Sequence, residues 1–197
     1  GADQLDSCQL DSCVGRDKHI RDLLRMKFRA QYTPQTITTK RPFWGTGWPV
    51  RNPSRSCIVE RSQYCRQRYL WLACTQLDPP FKPVDQRRIL QEWCEFFHEA
   101  SPIRELALRS RVPSELFEAV CHHRRLTRLH VKWGPVTDLK PLQKLSQLEG
   151  LSIGTTSVED ISPIAELPNL KLLQLDNLKC VNDFGALSKA RRLEFLQ

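Results

Sequence analysis

The sequence predicts a mixed α/β solenoid, in which stacked coils each give one short strand to a parallel sheet on the concave face and one short helical segment behind it. Three observations predict it. Leucines recur at a fixed spacing through the last half of the chain, a second motif containing aspartate and proline recurs at the same spacing, and leucine is unevenly placed, with 4 copies before residue 69 and 23 after it. The apolar material for a core therefore lies in the last two thirds of the 197 residues.

The first third has a different character. Residues 1–68 hold 13 Lys/Arg against 6 Asp/Glu, which is +7 of the formal net charge of +8. Residues 17–29 place Ile20, Leu23, Leu24 and Lys27 at helical spacing, which reads as one short basic helix. Beyond it, Pro34, Pro42, Pro49 and Pro53 deny both helix and central strand, with Phe43, Trp44 and Trp48 among them. The reading is a basic, poorly patterned, irregular N-terminal arm over residues 1–68.

Residues 69–102 are assigned to an N-terminal helical cap. Over 84–99, Ile89, Leu90, Trp93, Phe96 and Phe97 share one helical face, with Asp85 as the expected cap residue. A solenoid exposes apolar core at its end, and such a helix would cover it.

The repeats occupy 103–197. Leu126-x-x-Leu129-x-Val131 returns as Leu148-x-x-Leu151-x-Ile153 and as Leu170-x-x-Leu173-x-Leu175, at offsets of 22 residues. Ile103-x-x-Leu106-x-Leu108 precedes them, and a partial copy starts at Leu193. Behind each strand, Val136-x-Asp138-Leu139-x-Pro141 matches Val158-x-Asp160-Ile161-x-Pro163 and, more loosely, Val181-x-Asp183-Phe184-x-Ala186. Alternate side chains of a strand point inward. The aspartate caps the turn that follows, and proline fits a first helical turn. One coil cannot bury its leucines alone, whereas stacked coils share a continuous core. In the copy at Ile103 the segment Ser114–His122 reads as a true amphipathic helix with Ser114 as N-cap and Leu116, Phe117 and Val120 inward.

These residues resemble leucine-rich repeat proteins, and most closely the bacterial, internalin-like class with 22-residue repeats. The resemblance covers Ile103 to Gln197 and implies a preformed docking surface for another protein. The asparagine that usually follows the strand is replaced here by Gly134, Thr156 and Leu178. The turns must therefore satisfy their amides by other means.

The outward positions of the strands form the candidate partner-binding face: Glu105, Ala107 and Arg109; Arg128, His130 and Lys132; Gly150, Ser152 and Gly154; Leu172, Gln174 and Asp176. The expected surface is basic at one end, small and flat in the middle, and neutral to acidic at the far end. The function expected is a non-enzymatic protein-interaction module, bacterial and cytoplasmic, without cofactor or metal. The alternative is a nucleic-acid-associated protein acting through residues 14–68, where Arg and Lys interleave with aromatic rings. Self-association through an uncapped C-terminal edge is a further expectation.

Other chemistry is weighed against these readings. No stretch approaches the roughly 18 apolar residues of a membrane-spanning helix, so no membrane role is expected. No basic segment followed by an apolar one marks a secretory signal, and all eight cysteines are read as reduced thiols. No cysteine pair has C-x-x-C spacing, and in Cys121-His122-His123 the cysteine continues a buried helix face. Gly150-Leu151-Ser152-Ile153-Gly154 matches G-x-S-x-G, but Leu151 and Ile153 occupy inward repeat positions and no helix start follows. Stacking would place His130 and Gln174 beside Ser152, with no acid to complete a triad.

Overall fold

The computed structural model describes residues 57–154 and 156–196. The expected helix over 17–29, the proline-containing stretch over 31–55 and most of the basic arm lie outside the described residues.

Six parallel strands form one open sheet whose spatial order is the chain order: β1 (Tyr69–Leu72), β2 (Glu105–Arg111), β3 (Arg128–Trp133), β4 (Gly150–Gly154), β5 (Leu172–Asp176) and β6 (Phe195–Leu196). Each strand returns to the next through a helical segment: α1 (Pro83–Phe97), α2 (Ser114–Cys121), a 3₁₀ turn over Lys140–Lys144, α3 (Ser162–Ala165) and a 3₁₀ turn over Gly185–Lys189. Sequential parallel pairing with one helical crossover between neighbouring strands is what stacked coils require.

The register aligns the repeat positions across the sheet. Leu70, Leu106, Leu129, Leu151 and Leu173 pair rung by rung, and each is no more than 1% exposed. Leu72, Leu108, Val131 and Ile153 form a second buried row. Ile103, Leu126, Leu148, Leu170 and Leu193, at the first repeat position, are buried beside them. Full burial of such a side chain stabilises by about 1.5–3 kcal/mol, so the rows form one shared spine.

The aspartates behave as the repeat predicts. The carboxylates of Asp138, Asp160 and Asp183 each accept the backbone amide two residues on, from Lys140 at 2.8 Å, Ser162 at 2.8 Å and Gly185 at 2.6 Å. The amide bond pulls the exposed Asp160 carboxyl below the usual range, with the Ser162 hydroxyl adding to it. One device thus starts three successive helical turns.

The N-terminal part differs from expectation in three ways. First, Tyr69–Leu72 is a strand paired with β2, so the solenoid begins one coil earlier than residue 103. The helix assigned as an end cap is instead the convex half of that coil, packed against α2. Second, packing starts inside the region assigned to the arm: the Ile58 amide donates to the Trp71 carbonyl at 2.8 Å, and Ile58 bridges Leu72 along the outer edge of β1. Tyr64, Trp93 and Phe96 close edge-to-face beside it, with the Arg61 guanidinium 4.1 Å over the Phe96 ring. Third, both expected caps shift by position. Asp85 sits in the first turn of α1 and accepts the Lys82 amide at 3.0 Å, while Pro83 holds the first helical position, where its fixed φ suits a helix start. Ser114 likewise falls inside α2 and makes no capping bond, because Pro113 precedes it as N-cap.

Candidate partner-binding face

The register that builds the spine also lines up the outward side chains. One row runs Tyr69, Glu105, Arg128, Gly150, Leu172 and Phe195 across all six strands. The next runs Trp71, Ala107, His130, Ser152 and Gln174. Arg109 and Lys132 follow on β2 and β3, and Asp176 pairs with Gly154 beyond them. The candidate residues chosen from the sequence therefore share one face.

Their settings differ. Arg128 reaches the Glu105 carboxylate at 3.4 Å across adjacent strands, a half-exposed ion pair that fixes geometry more than it adds stability. Arg109 is exposed, with its guanidinium 5.7 Å from the Trp71 ring centre, and Lys132 and Asp176 are exposed as well. Leu172 and Gln174 are half-buried, and the Gln174 Oε1 atom is buried without a hydrogen-bond partner. Trp71 Nε1 is in the same condition at the other end of the row.

The middle of the face is not the flat exposed plate the sequence implied. Ser152 is 2% exposed, and Gly150 and Gly154 are buried too. Small side chains between Arg128 and Leu172, or between His130 and Gln174, sit below their taller neighbours. The Ser152 Oγ atom instead lies 2.9 Å from His130 Nδ1. Burial, then the charges of Arg109 and Lys132, push the imidazole down to about 4. A base that weak is a poor acceptor for a serine proton near neutral pH. β4 runs extended through Ser152, without the strained strand-to-helix turn of a nucleophile elbow.

The chain is similar to the internalins of Listeria monocytogenes. Internalin C2 is 26% identical, over 49% of this chain and 42% of that one, with a TM-score of 0.43. Internalin F is 24% identical, over 48% of this chain and 28% of that one, with a TM-score of 0.42. This chain thus spans less than half the length of either. No protein-family model matches it, and no curated protein does.

Two further places invite chemistry. Cys121, His122 and His123 turn to different surroundings. The Cys121 thiol is buried and its pKa raised, and His122 lies tilted against His98, ring centres 4.3 Å apart, and takes a contact from Lys144 at 2.8 Å. His123 is buried between the Ser101 hydroxyl and the Ile103 carbonyl. Beyond the ends of β1 and β2, a cleft of about 300 Å³ is lined by Cys74, Thr75, Gln86, Arg111 and Glu115 among others. Burial pushes the Cys74 thiol up to about 12, so it carries little thiolate there.

Tyr69, Trp71 and Phe195 stand on the outward rows but are not among the residues the sequence predicts for this face, and Trp71 is the largest of them. Its signal was present, since Tyr69-Leu70-Trp71-Leu72 alternates as a half-buried strand does.

Proposed function

We propose that the protein is a non-enzymatic interaction module that docks a protein partner on the concave face of its sheet. The observation that carries this is the alignment of outward side chains from adjacent strands on one rigid support, with Arg109, Lys132 and Asp176 exposed. A preformed surface loses little conformational freedom on binding, and its mixed charge selects among partners. The Trp71 ring, half-buried beneath Arg109, is the aromatic anchor that such an interface favours. Glu105 and Arg128 brace the face through their ion pair and His130 through its bond to Ser152, while Leu172 and Gln174 continue it toward Asp176.

The test places a photo-crosslinking side chain at Lys132 or at Asp176, and at the convex position Lys140 as a control. The expected outcome is one shared adduct from both concave positions, absent at Lys140 and lost in the Trp71→Ala variant. Equal labelling from Lys140, or an adduct untouched by Trp71→Ala, would overturn the reading.

A further inference from the structure

A second charged surface lies away from the concave face, on the rim where the strands begin. Arg66 and Arg68 precede β1, Arg104 precedes β2, and Arg124 and Arg125 form the turn before β3. The backbone fixes their spacing. The Arg68 carbonyl accepts the amides of Arg104 and Glu105 at 2.6 and 3.1 Å, and the Arg104 carbonyl accepts those of Thr127 and Arg128 at 2.8 and 3.1 Å. Arg68 and Arg104 therefore stand on neighbouring rungs, about 4.8 Å apart. The Arg104 side chain reaches on to the Arg125 carbonyl at 3.2 Å and to Gln147 at 2.9 Å, which ties the third coil into the same strip.

None of these five arginines forms an ion pair among the described residues. Arg66, Arg68, Arg124 and Arg125 are exposed and Arg104 is half-buried. Nearby carboxylates are occupied elsewhere, Glu105 by Arg128 and Glu149 by Lys171, which leaves Glu99 and Glu118 as exposed acids at this end. The strip is felt by one neighbour: His123 is lowered first by burial and further by Arg125 and Arg104. Like charges held together with less counter-charge than their number raise the energy of the free protein and reward an anion that spans them.

We infer that this arginine rim binds the phosphate backbone of duplex nucleic acid without reading its sequence. Two features separate this from an acidic protein partner. A protein interface is anchored on apolar or aromatic side chains, and the large hydrophobic residue exposed among the described residues is Val84, at the start of α1 rather than on the rim. Phosphate contacts need no such anchor, and guanidinium groups match them in pairs. Among the described residues the aromatic ring nearest the rim, Tyr69, is half-buried on the concave face, and Tyr64 is buried beneath Arg61. The rim thus offers guanidinium groups for phosphates more than open rings for unpaired bases, which suits a duplex.

The experiment is an anisotropy titration of the full chain against a fluorescein-labelled duplex of arbitrary sequence, about 20 base pairs long, between about 50 and 200 mM salt. The variant replaces Arg68, Arg124 and Arg125 together by Ala, three exposed positions whose side chains support no described packing. Each phosphate contact adds about 0.9 to the slope of log affinity on log salt, so the wild type should lose about 40-fold more affinity than the variant over that range. Equal slopes for the two proteins would overturn the inference, since binding would then come from the basic residues elsewhere in the chain. Tighter binding of a labelled glutamate homopeptide than of the duplex would also overturn it, in favour of an acidic protein. Circular dichroism of the variant should match wild type, so a changed slope reads the rim and not the fold.

Discussion

The indole Nε1 of Trp93 donates to the Val59 carbonyl at 2.7 Å, so the first convex helix holds the segment that runs along the outer edge of β1. Trp93 is wholly buried and touches Tyr64, Phe96 and Phe97. Trp93→Ala should cost about 3–5 kcal/mol in urea unfolding, because it opens a cavity and leaves a carbonyl unpaired. Trp93→Phe keeps part of the volume and loses the bond, so its smaller loss should come with faster amide exchange over residues 57–64. A loss below about 1 kcal/mol for the alanine variant would show that the helix is not part of the core.

His130 makes stability depend on pH in a definite direction. Its folded value of about 4 lies below the ordinary 6.5, so the folded chain keeps the ring neutral where the unfolded chain takes up a proton. Stability is therefore full above about pH 6.5 and falls as pH drops toward 4, by an amount on the order of 2–3 kcal/mol from this residue. Denaturation midpoints at pH 7 and 4.5 should differ less in His130→Gln than in wild type. Part of the slope should persist, since His123 is depressed in the same direction by its burial.

Thr156 stands where the resembled repeat carries asparagine, and its hydroxyl is buried with no hydrogen-bond partner. Leaving such a group unpaired costs about 1–3 kcal/mol. Thr156→Val keeps the shape and removes the polar atom, so it should leave stability unchanged or raise it by up to about 1–2 kcal/mol. A clear loss on calorimetric melting would mean that the hydroxyl has a partner in solution.

The legible part of the fold was that with a constant period. The rungs from Leu129 through Leu151 to Leu173 follow at 22 residues, and the aspartate turns behind them repeat with equal regularity, so strand, turn and spine could all be read. The first coil was hidden by its length: 36 residues separate Leu70 from Leu106, because a 15-residue helix fills the crossover, and Gln67 stands where the later coils have Leu or Ile. With β1 missed, α1 looked like a lid instead of a coil, and Trp71 was left off the concave face. The composition of that face was legible but its relief was not. Whether Ser152 is exposed depends on the height of His130 and Gln174 on adjacent rungs, which spacing along one strand does not encode. The arginine rim was invisible for a similar reason, since Arg68, Arg104 and Arg125 converge only through stacking.

Stacking this close leaves no room for a side chain at the turn after β3. A Cβ built on Gly134 would lie 2.1 Å from the Val112 carbonyl oxygen and 2.9 Å from its carbon, both backbone atoms of the preceding coil. Gly154 meets the Lys132 carbonyl in the same way, at 2.3 Å. Backbone cannot step aside as a flexible side chain does, so Gly134→Ala must push two coils apart and weaken the 2.9 Å bond from the Val112 amide to the Trp133 carbonyl. Overpacking of this kind costs about 1–3 kcal/mol or more. Gly185→Ala, whose new methyl meets only the Asp183 side chain at 2.8 Å, should cost less. Thermal unfolding of the two variants side by side should place Gly134→Ala well below Gly185→Ala. The reverse order would mean that the coils are not packed backbone to backbone at this turn.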